Sequence, residues 1–276
     1  MLVNSNELFV KARKGNYAIP AANYIDLDSA RSYIKVAEQK RLPLILAFAQ
    51  SHKDILSLEE AALIGKFLGE KASVPIVLHL DHGEDYDFIE RAIRLGFTSV
   101  MIDASQKKFD ENIQVSKEVV ELAHKFDISV EAELGHVGSN QISFEQGKPD
   151  SIYTETESVI EFVDKTKVDS LAISIGTAHG LYKGTPKINF ERLHEIRKLT
   201  DVPLVLHGGS SSGDLNLERC ATEGISKINI YTDFLMGAQH EIEENGYQNY
   251  IELKNLANVG MEKVLEHYYK VFHTKL

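Results

Sequence analysis

The segment VPIVLHLDHG, residues 74–83, decides the fold. It runs from a proline through valine, isoleucine and leucine and ends on Asp81, His82 and Gly83. A short apolar run of this kind is the pattern of a strand covered on both faces, as in a parallel sheet. The same grammar recurs in SLAISIGTAHG (170–180), which ends on His179 and Gly180, and in VPLVLHGG (202–209), which ends on His207 and a glycine pair. Three buried strands that each finish on histidine and glycine predict three imidazoles converging at one rim of a barrel. VPIVLH and VPLVLH echo each other four strands apart. Selection for a buried strand after a tight turn explains this at least as well as a half-barrel repeat.

Outward from these segments, the same alternation fills the chain. Candidate strands are YAIPAANY (17–24), PLILAF (43–48), VPIVLHLD (74–81), SVMID (99–103), SVEAELG (129–135), SLAISIG (170–176), PLVLHGG (203–209) and KINIYT (227–232). Helix-like stretches separate them: in SLEEAALIGKFLGEK, Leu58, Ala61, Ala62 and Leu68 share a face, and in DENIQVSKEVVELAHKF, Ile113, Val120 and Ala123 do. Eight strand–helix units predict a closed (β/α)8 barrel rather than an open sheet. We read residues 1–276 as one barrel domain with a helical tail from about residue 233, and 136–153 as a lid-like loop at the functional rim.

Composition narrows the class. A hydrophobic content of 43% supplies a core for a single domain of 276 residues. Thirty basic against 41 acidic side chains, interspersed, give a net charge of −11, which argues against a nucleic-acid surface. An anionic substrate must then be held by local donors. No apolar run approaches the roughly 20 residues that cross a bilayer. The single cysteine, Cys220, cannot form an internal disulfide, and MLVNSNELFVKARKGN lacks the apolar core of a signal peptide, so a reducing, cytoplasmic setting is expected.

A lone buried histidine is more often a hydrogen-bonded core residue than a ligand. Three at strand ends point instead to a catalytic metal, because three neutral nitrogens leave a coordination position open for a substrate oxygen. Gly208, Gly209 and Ser210 follow strand seven and Thr232 follows strand eight, the two loops where barrels commonly hold phosphate. Glycines there let backbone amides approach an anion closely.

LHLDHGEDYDFIERAIRLGFTSVMIDAS, VEAELGHVG, IGTAHGLYKG, LVLHGGSS and KINIYTD, in this order and over most of the chain, resemble the successive signatures of the class II, metal-dependent ketose-bisphosphate aldolases. The resemblance implies a barrel, usually a homodimer or larger, in which zinc or another divalent transition metal supports reversible cleavage between C3 and C4 of a phosphorylated ketose. Fructose 1,6-bisphosphate is the best single substrate reading. Tagatose bisphosphate, another ketose phosphate, or a phosphosugar-binding barrel without turnover are the alternatives, and a metal-dependent hydrolase ranks last.

Carried over residue by residue, the resemblance makes His82, His179 and His207 metal ligands and Glu133 an alternate or neighbouring carboxylate. Glu131 and Glu133 share a strand face, so both also read as structural charges inside the barrel. Asp81 matches the proton shuttle at the C4 hydroxyl, with His79 on the same face to orient the site. Cleavage leaves an enediolate of the triose, which a Lewis-acidic metal stabilises without a Schiff-base lysine. Asn229 matches a residue contacting that fragment; satisfying strand-end backbone is its plainer role. Gly180, Gly208, Gly209, Ser210 and Thr232 match the grip on the 1-phosphate, and the same turns resemble places where the family holds a monovalent cation.

The departures concern substrate. Where the family carries a lid glutamate, this chain has Gln141, which cannot take a proton, and the nearest loop carboxylate is Glu145. The position expected to hold a distal phosphate after strand two is Ala49, with Ser51 and His52 nearby. The arginine expected near the C-terminus is Leu253, next to Lys254, which lacks arginine's bidentate fork.

Overall fold

A computed structural model describes residues 1–138, 153–182 and 184–276. The strands are β1 (Ile19–Asn23), β2 (Leu44–Ala49), β3 (Ile76–Gly83), β4 (Ser99–Ile102), β5 (Ser129–Leu134), β6 (Ser170–Ile173), β7 (Leu204–Leu206) and β8 (Ile225–Ile230). They close into one barrel in chain order, every pairing parallel, with β1 against β8. Each expected strand is present, trimmed at one or both ends, with β2, β3 and β8 also running one or two residues past an expected bound, and the barrel is the predicted (β/α)8 architecture.

Helices α1 (Asn6–Gly15) to α8 (Asp214–Glu223) include α2 (Leu27–Lys40), α3 (Leu58–Lys71), α4 (Tyr86–Leu95), α5 (Phe109–Ala123), α6 (Thr156–Thr166) and α7 (Phe190–Leu199), and α9 (Thr232–Asn245) and α10 (Tyr250–Val271) follow. The predicted faces are the buried ones: Leu58, Ala61 and Ala62 on α3, and Ile113, Val120 and Ala123 on α5. Ser57 starts α3 with a reciprocal capping box to Glu60, which satisfies two amides that the helix itself leaves open. At the C-terminal end, α10 packs on α9 and reaches back to α2. No described helix is long and apolar enough to cross a membrane.

Strand alternation divides the core in two. Leu44, Leu46, Leu78, Leu80, Val130 and Leu206 belong to the cluster under the helices. Ile19, Ala21, Ile45 and Val77 face the barrel interior, where Leu8, Phe9 and Ala12 of α1 plug its N-terminal end. The sequence reading did not identify α1, whose signal is this apolar face alone. The interior is therefore apolar at the bottom, carries the buried Glu131–Lys227 ion pair beside His79 in the middle, and opens at the C-terminal rim.

Candidate active site

The rim is built from strand ends. Asp81 and His82 are consecutive on β3, and in a regular strand they would face opposite sides. Two irregularities turn both toward the site. The β3–β4 register shifts between Leu80 and Gly83, and His82 adopts a left-handed backbone with φ of 47°, a conformation L-residues occupy only where the surroundings enforce it. Gly83 is required by close approach, since a Cβ there would lie 2.4 Å from the Met101 carbonyl.

His82 at the end of β3, His179 in the turn after β6 and His207 directly after β7 come together with candidate ligand atoms all within 4.8 Å of one another. Hydrogen bonds select the tautomers of two of them. His82 Nδ1 lies 2.9 Å from Asp103 Oδ2, and His207 Nε2 lies 2.8 Å from Glu131 Oε1. Carboxylates only accept, so these nitrogens carry the protons. The remaining pair, His82 Nε2 and His207 Nδ1, then face each other at 2.9 Å. Two lone pairs aimed at one point need a cation between them. A proton serves in part, and the Asp81 and Asp103 charges hold His82 well above the ordinary histidine range against the opposing effect of burial. The donor set equally suits a divalent transition metal.

Glu133 stands beside His82 and Asp103 in a second group of convergent ligand atoms. It accepts the Val137 amide at 2.9 Å, and burial, reinforced by Asp103, pushes its carboxyl up to about 8. Asp81 is the opposite case. Burial alone would raise it, but His82, His207, Lys227 and His79 outweigh burial and hold it well below the carboxylate range. Its Oδ2 accepts from Asn23 Nδ2 and its Oδ1 from Asn229 Nδ2, both at 2.8 Å. Asn229 Nδ2 also lies 3.3 Å from His207 Nδ1. An ionised carboxylate is thus clamped between two amides beside the histidine cluster, which is how a positioned base is built.

A cavity next to the cluster is lined by His179, Gly180, Gly208, Ser210, Asn229, Tyr231 and Thr232. Ser210 Oγ accepts the amides of Tyr231 (3.1 Å) and Asp233 (3.3 Å), which leaves its own proton to donate. Thr232 opens α9, whose N-cap residue Tyr231 supplies no side-chain cap of its own, so the positive end of the helix borders the cavity. Gly209 is used differently: its amide donates to the Asn229 carbonyl at 3.1 Å, tying the turn to β8. Gly208, with φ of 65°, passes so close to Ala178 that a Cβ would lie 2.6 Å from its carbonyl. Tyr182 links the two turns; its hydroxyl accepts the Ala178 amide and lies 2.7 Å from the Ala178 carbonyl and 3.1 Å from that of Gly208. Ser212 Oγ also donates to Gly208, at 3.0 Å. Hydroxyl groups thus reach the carbonyls of Ala178 and Gly208 in these turns.

Ala49 ends β2 in register with Asp81. His52, buried, packs its ring 4.5 Å from that of Tyr231. Leu253 lies on α10, and Lys254 forms an ion pair with Asp28 at the start of α2. Gln141 and Glu145 lie outside the described residues. The sequence reading missed Asn23, Asp103, Tyr182 and Tyr231, and assigned Lys227 no role. Strand alternation was the available signal for Lys227, which shares a face of β8 with Asn229.

A family model described as fructose-bisphosphate aldolase class-II matches residues 3–275. The D-tagatose-1,6-bisphosphate aldolase subunit GatY of Klebsiella oxytoca is 39% identical over 248 residues, 88% of this chain and 87% of the relative. The crystal structure of the YdjI aldolase of Escherichia coli K12 superimposes with a TM-score of 0.88 at 31% identity, covering 99% of this chain and 98% of that one. The fructose-bisphosphate aldolase of Campylobacter jejuni, at 22% identity and a TM-score of 0.81 over 99% and 95% of the two chains, shares the fold. With five ordered motifs, a closed barrel and a histidine cluster at its rim, the chain belongs to the class II fructose-bisphosphate aldolase family.

Proposed function

We propose that this protein cleaves, reversibly, the C3–C4 bond of a ketose carrying a 1-phosphate, releasing dihydroxyacetone phosphate and an aldehyde. The observation that carries the proposal is Asp81, ionised and held by Asn23 and Asn229 directly beside the histidine cluster. His82, His179 and His207 are the proposed holders of zinc or another divalent transition metal, with Glu133 as the alternate carboxylate. Such an ion supplies Lewis-acid polarisation of the substrate carbonyl. In cleavage, Asp81 takes the proton of the C4 hydroxyl, the C3–C4 electron pair passes to the triose fragment, and the new aldehyde departs. In condensation, Asp81 returns that proton. Asn229 orients Asp81 and lines the cavity where the triose sits.

Gly180, Gly208, Ser210 and Thr232 are the proposed grip on the 1-phosphate, with Gly209 holding the turn in place. Glu145 is the proposed lid carboxylate that exchanges the triose C3 proton in place of Gln141. Fructose 1,6-bisphosphate remains a candidate substrate, and the Klebsiella relative, named for tagatose 1,6-bisphosphate, gives that ketose equal standing. Exposed Tyr247, Tyr250 and Ile251 around the start of α10 support a homodimer or larger assembly, and the lone buried Cys220 supports a cytoplasmic setting.

The test is a coupled cleavage assay on metal-loaded protein, with and without chelator, offering fructose 1,6-bisphosphate, tagatose 1,6-bisphosphate and fructose 1-phosphate. Chelator-sensitive release of dihydroxyacetone phosphate is expected from at least one. No cleavage of any ketose by protein with a full complement of metal would overturn the assignment in favour of a phosphosugar-binding role.

A further inference from the structure

One layer beneath the rim, the barrel encloses an ammonium group to which the proposed reaction assigns no contact with the substrate. Lys227 and Glu131 have side-chain exposures of 0% and 1%. The Lys227 ammonium has three protons and three partners: Glu131 Oε2 at 2.8 Å, Glu131 Oε1 at 3.0 Å and His79 Nε2 at 3.2 Å. His79 completes the set through Nδ1, 2.9 Å from Ser99 Oγ. Four strands, β3, β4, β5 and β8, contribute to this network, and β7 joins it through His207, whose Nε2 shares Glu131 Oε1.

Stability does not explain the charges. Exchanging a buried ion pair for well-packed apolar side chains is commonly neutral or stabilising, and the next layer down, with Ile19, Ile45 and Val77, is filled in that way. Among the described residues, the network is hydrogen-bonded to the histidine cluster through His207. With its proton on Nε2 toward Glu131, His207 turns the Nδ1 lone pair to His82 and the site. In the other tautomer an N–H would face the site, and the ring could not bind a metal there. An unrestrained carboxylate can rotate, but one gripped at both oxygens by an ammonium keeps Oε1 in line with the imidazole.

We infer that Lys227 is a positioning residue for the metal site: by gripping both oxygens of Glu131 it fixes the tautomer and ring orientation of His207. This inference rests on the reading of His207 as a metal ligand. Partners of ligating histidines commonly set metal affinity by 10- to 100-fold, so an effect of about that size is expected.

The experiment compares the full-length protein with Lys227→Met, with the double variant Glu131→Met/Lys227→Met, and with His207→Ala. Each is metal-depleted, its thermal midpoint recorded, and its dissociation constants for Zn2+ and Co2+ measured by competition with a chromophoric chelator, together with the visible spectrum of the Co2+ form. The double variant is expected to melt at or above the parent while binding metal about 10- to 100-fold more weakly, with an altered Co2+ spectrum. His207→Ala is expected to lose tight binding. A double variant with parental affinity and spectrum, when His207→Ala has lost binding, would overturn the role of Lys227 alone. Parental affinity in His207→Ala would instead overturn the ligand reading beneath it. The single Lys227→Met variant leaves Glu131 without its ammonium and is expected to lose both stability and affinity; the apolar pair separates the two effects.

Discussion

At the rim, chemistry depends on which way single side chains turn. Asp81 and His82 would lie on opposite faces of an ideal strand, and the positive φ at His82 with the register shift before Gly83 brings them to one site. The Asp81 carboxylate is held by two amides, and its hydrogen-bonded link to the histidine cluster runs through Asn229. Removing its carboxylate should therefore leave metal binding intact. We expect Asp81→Ala to retain stoichiometric metal and to lose about 10² to 10⁴ in kcat for cleavage, the usual range for a positioned acid–base group. Metal analysis alongside steady-state kinetics checks this, and loss of the metal with the activity would make Asp81 part of the binding site instead. The histidines were legible in the sequence because each interrupts an apolar run at a strand end, and Asp81 because its segment resembles a family motif. Asn23 ends β1 and Asp103 follows β4, but their meaning lies in partners 58 and 21 residues away, at Asp81 and His82. A linear reading contains no distance across the sheet, so it leaves such partners unassigned.

Elements contribute by fixing turns against one another. The turns after β6 and β7 carry His179 and His207, and the hydroxyl of Tyr182 spans them through the peptide of Ala178 and the carbonyl of Gly208. The same turns supply Gly180 and Gly208 to the cavity proposed for the 1-phosphate. Tyr182→Phe removes the bridge while Ser212 still donates to Gly208. A hydrogen bond of this kind is worth about 1 kcal/mol, so a several-fold rise in KM for the ketose 1-phosphate is expected, with kcat nearly unchanged because phosphate is held alike in ground and transition states. A fall in kcat at constant KM would show that the bridge serves the reacting carbons. All eight strands were legible as apolar runs, and α3 and α5 as apolar stripes. The N-terminal α1 was not, because its short apolar face becomes meaningful only against the open bottom of a closed barrel.

Across the whole molecule, polarity is graded along the barrel axis. Apolar side chains and α1 seal one end, the His79–Glu131–Lys227 layer lies above them, and the three histidines stand at the open rim. Each strand carries part of this gradient, and the proposed ligands follow β3, β6 and β7, so an ion bound there would tie together strands that are distant in sequence but enclose the same interior. A ligand that binds only the assembled barrel stabilises it by mass action, about 2.7 kcal/mol at a free concentration 100 times its dissociation constant. For a chain of this size each kcal/mol moves the midpoint by roughly 2–4 °C, so saturating Zn2+ should raise it by roughly 5–10 °C and chelator should reverse the rise. His82→Ala, which removes one nitrogen at the rim and leaves the sealed end intact, should fold and lose most of that shift. Calorimetric scans of both proteins, with Zn2+ and with chelator, measure it. An undiminished shift in His82→Ala would place the stabilising ion elsewhere on the molecule, and no shift in either protein would separate metal binding from the barrel's stability.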